Sequence, residues 1–433
     1  MAQDSIKRPK ANIFRSTRWQ QDHSTSTKAP RSNKNEICKI AHLCGSCQYI
    51  NTEYQHSLGE KYQQAIHRFR AAQLLEGANV AEPVASPRTT GYRCHAKLAV
   101  RPVAESVRPR IGERFAIGLF QPQSHKLVPL DTCPLHRASI NRLLPDLKAE
   151  LEASSIQPYS ELNHEGHLRY IAIRASHLTE ELMLTFVLTD DSMIKEIKAM
   201  ILRLRQKEHI LVAVYININS DRTNTIFGAE NKKVLGADGL RESLCDLTFE
   251  IGPTSFFQVN PWQAELIYRR VEQLAGAPAG SDVAWDLYCG TGQISLLLSK
   301  QGYRTLGIEE NPLAIADAEA NIARNEIPAD EKPYYIAGRV EDVVADFPQW
   351  SQKPAVIVAN PSRRGLADNA RQLITQGLAQ REDTRFIYVS CEAETMVRDL
   401  QQIVQSTGRS VRQLECFDMF PFTEKLEWIA VLQ

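Results

Sequence analysis

The sequence predicts an α/β protein: a doubly wound, Rossmann-like parallel sheet with an antiparallel last strand in the C-terminal part, preceded by an α+β region. Two observations carry this. After Thr254, short apolar runs alternate with helical stretches, the pattern of a parallel sheet wrapped by helices. The last two apolar runs, Val411–Met419 and Leu426–Leu432, have no helix between them, and so short a link requires antiparallel pairing at the sheet's end.

A chain of 433 residues exceeds one ordinary domain of roughly 100 to 200 residues. With 43% hydrophobic and 24% charged residues it can build sizeable cores, and the balance of 51 basic against 51 acidic groups points to no partner. The charge is unevenly spread. Residues 1–35 carry eight Lys or Arg against Asp4 and Asp22, without apolar periodicity, so 1–36 is expected to be a disordered basic tail. No apolar run reaches the length of a membrane span and no secretory signal opens the chain. A cytoplasmic protein with no membrane association is expected, and a transit peptide would need an apolar helical face that the tail lacks.

Residues 37–250 read as the α+β domain, with a helix over Ser57–Leu75 and strands at Lys97–Arg101, Tyr170–Arg174 and Leu182–Leu188. Tyr92 to Lys97, followed by Arg101, Arg108, Arg110 and Arg114, is a basic stretch suited to phosphate contact, although a solvated charged face has the same composition. Residues 251–433 form the regular part. Strands are expected at Val283–Leu287, Thr305–Ile308, Ala355–Val358 and Phe386–Val389, and helices at Gln293–Lys300, Pro312–Arg324, Ala367–Ala379 and Glu394–Gln405.

The turn Asp286-Leu287-Tyr288-Cys289-Gly290-Thr291-Gly292 follows a strand and opens a helix, so its small residues let the backbone approach a ligand at the helix N-terminus. Glu309 ends the next strand 19 positions after Gly290, where a carboxylate can accept from both ribose hydroxyls. A dinucleotide fingerprint needs a third glycine where this chain has Ser295. The antiparallel end and this turn together are the arrangement of S-adenosylmethionine-dependent methyltransferases. Three further segments fall at strand ends: Asn360–Gly365, Ser390–Glu392 and Pro421–Glu427. Cys391 follows a strand directly, although an isolated cysteine is more often a small buried hydrophobe.

Together, SFFQVN at Ser255–Asn260, DLYCGTG at Asp286–Gly292, GIE at Gly307–Glu309, NPSRRG at Asn360–Gly365, SCEAETM at Ser390–Met396 and FDMFPFTEKLE at Phe417–Glu427 resemble the RNA 5-methyluridine methyltransferases, most closely the 23S ribosomal RNA members. The resemblance covers nearly everything after residue 37. It implies cofactor contacts at Gln258, Tyr288, Glu309 and Asn360, a nucleophile at Cys391 and a general base at Glu427. The chemistry fits those residue types. A thiolate adding to carbon 6 of uracil makes carbon 5 an enolate able to accept a methyl group, and a carboxylate then removes the carbon 5 proton so that the cysteine leaves. Arg363 or Arg364 would favour the thiolate. The chain departs from the family at Ser362, Glu392, Phe422 and Lys425, where proline, asparagine and two histidines are usual. Glu392 matters most, because a negative charge beside the thiol disfavours its ionisation. Phe256, Phe257 or Phe422 could stack on an unstacked uridine, although individual aromatics are more often core residues.

Cys38, Cys44 and Cys47, with Cys133-Pro134 downstream, form a set of four soft ligands. Spacing alone leaves zinc and an iron–sulfur cluster open. The resemblance implies a structural 4Fe-4S cluster, found in the ribosomal RNA members, and hence 23S rRNA as the partner. Cys94, Cys245, Cys289 and Cys416 read as packing residues. No protein partner is evident, and a monomer is expected. The alternatives are a tRNA uracil-C5 methyltransferase and a non-catalytic RNA-binding or ribosome-assembly protein on the same fold.

Overall fold

In the computed structural model, which describes residues 36–343 and 346–433, two sheets organise the chain. All but the last residue of the expected basic tail, 1–36, lies outside the described residues. Helices α1 (Ala41–Cys44) and α2 (Tyr54–Ala71) and the short strand β1 (Asn79–Val80) come first. α2 begins ahead of the predicted Ser57 because the Glu53 carboxylate caps it, accepting from the Gln55 and His56 amides at 3.1 and 2.8 Å. It stops before Leu75 because Gln73 turns out of the helix at φ 57°.

The first sheet comprises β2 (His95–Pro102), β3 (Phe115–Phe120), β4 (Leu127–Pro129), β5 (Leu168–Ala175), β6 (Leu182–Leu188), β7 (Leu211–Ile218) and β8 (Glu230–Gly236), in the order β4-β3-β2-β5-β6-β7-β8. Helix α3 (Ala138–Glu152) precedes β5, and α4 (Ile194–Lys207) joins β6 to β7. That crossover makes β6 and β7 parallel, whereas the other neighbours are antiparallel. Ile171, Ile173, Leu184 and Phe186 pack under α3 and α4, while Tyr170 and Val187 lie on the opposite face with Phe120 and Phe227.

A hairpin of β9 (Leu240–Leu244) and β10 (Leu247–Ile251) leads to α5 (Pro261–Ala275). The sequence expectation omits α5, yet it carries a start signal: the Asn260 side chain accepts from the Gln263 amide at 3.3 Å and Pro261 occupies the first turn.

The second sheet is built from β11 (Val283–Leu287), β12 (Arg304–Glu309), β13 (Tyr334–Ala337), β14 (Val356–Ala359), β15 (Arg385–Ser390), β16 (Val411–Phe417) and β17 (Glu427–Leu432). Helices α6 (Gln293–Lys300), α7 (Pro312–Arg324), α8 (Asp368–Ala379) and α9 (Ala393–Thr407) connect them. The order is β1-β16-β17-β15-β14-β11-β12-β13. β11 to β15 run parallel; β17 pairs antiparallel with β16, as the missing helix predicts, but it inserts between β15 and β16 and so lies inside the sheet and not at its end. α2, α8 and α9 cover one face; α5, α6 and the β9–β10 hairpin cover the other. Trp428 packs against Tyr62 and Phe69 of α2 at 6.1 and 5.0 Å between ring centroids, so α2 is anchored on the second sheet. Each such large side chain contributes roughly 1.5–3 kcal/mol by burial. No described helix is long and apolar enough to cross a membrane.

Candidate active site

At the C-terminal edge of the second sheet lies a cavity of about 780 Å³, and the four predicted cofactor contacts, Cys391, Glu427 and the four cysteines of the metal set all line it. It runs from the β11–α6 turn, past Cys391 and Glu427, to the four cysteines.

The turn is held from below. Asp286, fully buried at the end of β11, accepts from the Ser295 hydroxyl at 2.5 Å, and burial pushes its carboxyl up to about 7. Its other oxygen, Oδ1, is buried without a hydrogen-bond partner among the described residues, an acceptor left for a ligand's donor. Tyr288, Gly290 and Gly292 take positive φ of 64°, 57° and 83°. A Cβ on Gly292 would come within 2.4 Å of the Tyr335 hydroxyl, so no larger residue fits as the turn enters α6. The Glu309 carboxylate accepts from the amides of Gly290 at 3.1 Å and Asn311 at 3.0 Å, and burial raises its pKa. Gln258 reaches the cavity from the segment before α5, and Asn360 from the end of β14, where its amide donates to Leu287 O at 3.2 Å.

Register explains how Cys391 and Glu427 meet. β15 and β17 are antiparallel with Ser390 opposite Trp428, so the next residue along one strand, Cys391, faces the preceding residue of the other, Glu427. Glu427 is only 2% exposed, and burial pushes its carboxyl up to about 8, opposed by Arg363. Burial, then the Glu427 charge, push the Cys391 thiol up to about 11, while Arg363 pulls it down and Glu392 adds the smallest push. Burial thus holds both groups toward their neutral forms, beside an exposed arginine.

Glu392, the most adverse departure from the family pattern, is answered by another. Lys425 Nζ donates to Glu392 Oε2 at 2.6 Å, tying the end of β15 to the loop before β17 and neutralising the charge beside the thiol. Lys425→Ala should slow alkylation of Cys391 by iodoacetamide near neutral pH by at most about fivefold, the scale of a partly exposed pair. Removing the acid as well, in Glu392→Gln/Lys425→Ala, should restore the rate; an unchanged rate in Lys425→Ala would show that Glu392 does not act on the thiol.

Two of the three aromatics take the commoner role of such residues and pack in the core. Phe422 is 3% exposed, in the left-handed region at φ 64°, and packs edge-on against Tyr54 at 5.8 Å; Phe257 is 4% exposed. Both are core residues. Phe256, 62% exposed at the cavity, keeps a free face. Arg364 lines a neighbouring cavity with Tyr288 and Arg398, apart from Cys391.

Cys38, Cys44, Cys47 and Cys133 are half-buried and line the far end of the cavity. Three of them pack with Tyr92, Leu135 and Phe422 in one apolar cluster. Burial, then the neighbouring thiols Cys133 and Cys44, push Cys47 up to about 12. Among the described residues, no group of three His, Cys, Asp or Glu side chains closes around a single metal ion. As expected, Cys94, Cys245, Cys289 and Cys416 are buried packing residues.

Sequence reasoning missed Lys61 and Asp418. Lys61 Nζ, on α2, donates to Asp418 Oδ1 at 2.6 Å and to the carbonyls of Phe420, Thr423 and Lys425 at 3.2–3.3 Å, all out of solvent. With Tyr49 N donating to Phe422 O at 3.0 Å and Tyr92 Oη to Pro421 O at 3.1 Å, the N-terminal segment pins the loop that leads into Glu427.

A strand-end cavity with a glycine turn, a distal carboxylate and a thiol–carboxyl pair defines a methyltransferase-type site. The chain is 32% identical to an uncharacterised RNA methyltransferase of Oceanobacillus iheyensis, over 90% of this chain and 81% of that protein. It is 31% identical to another of Gloeobacter violaceus, over 92% of this chain and 82% of that one. The tRNA (uracil-5-)-methyltransferase family model matches residues 339–433. The Pyrococcus abyssi tRNA (uracil-54, C5)-methyltransferase, solved with S-adenosyl-L-homocysteine, has a similar fold, with a TM-score of 0.68 at 24% identity over 90% of this chain and 86% of that one. The chain belongs to the RNA 5-methyluridine methyltransferase family.

Proposed function

We propose that the protein methylates carbon 5 of a uridine in 23S ribosomal RNA, using S-adenosylmethionine and a covalent adduct on Cys391. The observation that carries this reading is the antiparallel register that sets Cys391 opposite the buried Glu427. The glycine turn and the buried, unpartnered Asp286 Oδ1 on the cavity wall fit the methyl donor, which Gln258, Tyr288, Glu309 and Asn360 would hold. When bound it supplies an electrophilic methyl group. Cys391 Sγ, its proton lost to solvent with help from Arg363, would bond carbon 6 of the uracil, and carbon 5 would take the methyl as the donor's sulfur–methyl bond breaks to leave a thioether. Glu427, as carboxylate, then removes the carbon 5 proton, and the sulfur–carbon 6 bond breaks to return the thiolate. Phe256 offers its exposed face to a base drawn out of the RNA stack.

Four soft thiols lining one end of the cavity suit a polynuclear centre by their chemistry, and Cys38, Cys44, Cys47 and Cys133 would hold the 4Fe-4S cluster that the family resemblance implies. Its role would be structural: the same apolar cluster contains Phe422 and so supports the loop before Glu427. In this reading residues 37–250 grip RNA and 251–433 carry the chemistry. The cysteine set favours ribosomal RNA over tRNA. Unmodified 23S rRNA and tRNA, each incubated with methyl-labelled donor, test the choice: label should enter 23S rRNA as 5-methyluridine, and label in tRNA alone would overturn it.

A further inference from the structure

We propose that the end of the cavity nearest the first sheet is a phosphate subsite, in which Lys97 and Arg93 receive the RNA backbone beside the inserted uridine. This rests on the reading that RNA is the substrate. The cavity lining is largely divided by charge, Arg363 being the cation that the second sheet's loops contribute. Its carboxylates, Asp286, Glu309, Glu310 and Glu427, all come from the second sheet and its loops. Arg93 and Lys97, together with His95 and His136, come from β2 and the segments beside it.

No carboxylate answers these two cations among the described residues. Neither takes part in an ion pair, and the Lys97 ammonium instead stands 4.9 Å over the Phe227 ring. Behind them Arg174, 4% exposed, donates to Ser255 O at 2.7 Å and keeps a buried Nε without a partner. His136, 5% exposed and on the cavity wall, keeps a buried Nδ1 without a partner. Glu242 and Asp317 face Arg174, but among the described residues no acid partners the half-buried Arg93 or the exposed Lys97, so an anion entering this end of the cavity would complete their charge. A base swung into this cavity toward Cys391 brings its own phosphates with it. The cationic end is where they are stabilised.

The test measures binding of unmodified 23S rRNA by filter retention over a range of salt. Neutralising one phosphate contact lowers the slope of log K against log salt by about 0.7 to 0.9. Lys97→Gln and Arg93→Gln should each lose about that much slope, keep wild-type melting temperature and donor binding, and leave Lys198→Gln, on the solvent face of α4, as an unchanged control. Wild-type slopes in both variants, or an equal loss in Lys198→Gln, would overturn the subsite. Loss of iron from Arg93→Gln with an unaltered slope in Lys97→Gln would also overturn it, assigning Arg93 to the thiolates. Failure of the wild-type protein to bind RNA would instead sink the substrate reading itself.

Discussion

Glu427→Gln is expected to leave the protein covalently joined to its RNA. The amide cannot take the carbon 5 proton, so methyl transfer proceeds and release through Cys391 stalls; turnover should fall about 10²- to 10⁴-fold, the usual contribution of a general base. A denaturing gel would show protein–RNA adduct in the variant and little in the wild type. Equal turnover in the two would remove Glu427 from the mechanism. Wild-type turnover should also rise with pH as the carboxyl ionises around 8. The same shift has a stability consequence. Glu427 and Asp286 hold their protons to about 8 and 7 in the folded chain, above ordinary carboxyls. Their contribution to stability is therefore fully present below the unfolded carboxyl value and is lost as pH rises through the folded values. Thermal unfolding should show a shallower fall between pH 5 and 8 for Glu427→Gln than for wild type.

Lys61→Met should cost about 3–5 kcal/mol of stability, the largest single effect on folding expected outside the hydrophobic cores. Burial pushes the Lys61 ammonium down and the Asp418 carboxyl up, against the attraction between them, so the pair is costly to bury even when made. With Lys61 removed, Asp418 keeps the burial and loses the cation, and three carbonyls lose their donor. Lys61→Met/Asp418→Leu should recover much of the urea midpoint, because two apolar groups carry no unpaired charge. A Lys61→Met midpoint within 1 kcal/mol of wild type, taking the urea dependence at its usual slope, would show that the loop before Glu427 does not depend on this tie.

These two residues mark the boundary of what one sequence reveals. α6 and α7 appear over their predicted ranges because their apolar period, caps and flanking strands agree locally. The antiparallel pairing of β16 with β17 was also legible, since the missing helix forces it, whereas the pairing of β17 with β15 that sets Glu427 opposite Cys391 does not follow from that link. Lys61 was not. On an amphipathic helix a lysine reads as solvated, and its burial depends on a partner 357 positions away. Glu392 read as a liability for the same reason, its cation lying 33 positions downstream. Phe422 read as a stacking candidate because nothing local tells an exposed aromatic from one held at positive φ under the cysteine set. β13 was missed as a four-residue, partly exposed edge strand, and α3 and α4 because their strands gave weak boundaries.

The central claim is that Cys391 bonds the uracil. Incubation with S-adenosylmethionine and 5-fluorouracil-substituted 23S rRNA, where fluorine takes the place of the proton that Glu427 removes, blocks release at that step. After nuclease and protease digestion, mass spectrometry should find a methylated fluorouridine nucleotide on the peptide bearing Cys391, and none in Cys391→Ala. Attachment to a different cysteine, or wild-type protein that makes 5-methyluridine in ordinary rRNA yet forms no adduct with the fluorinated RNA, would contradict it.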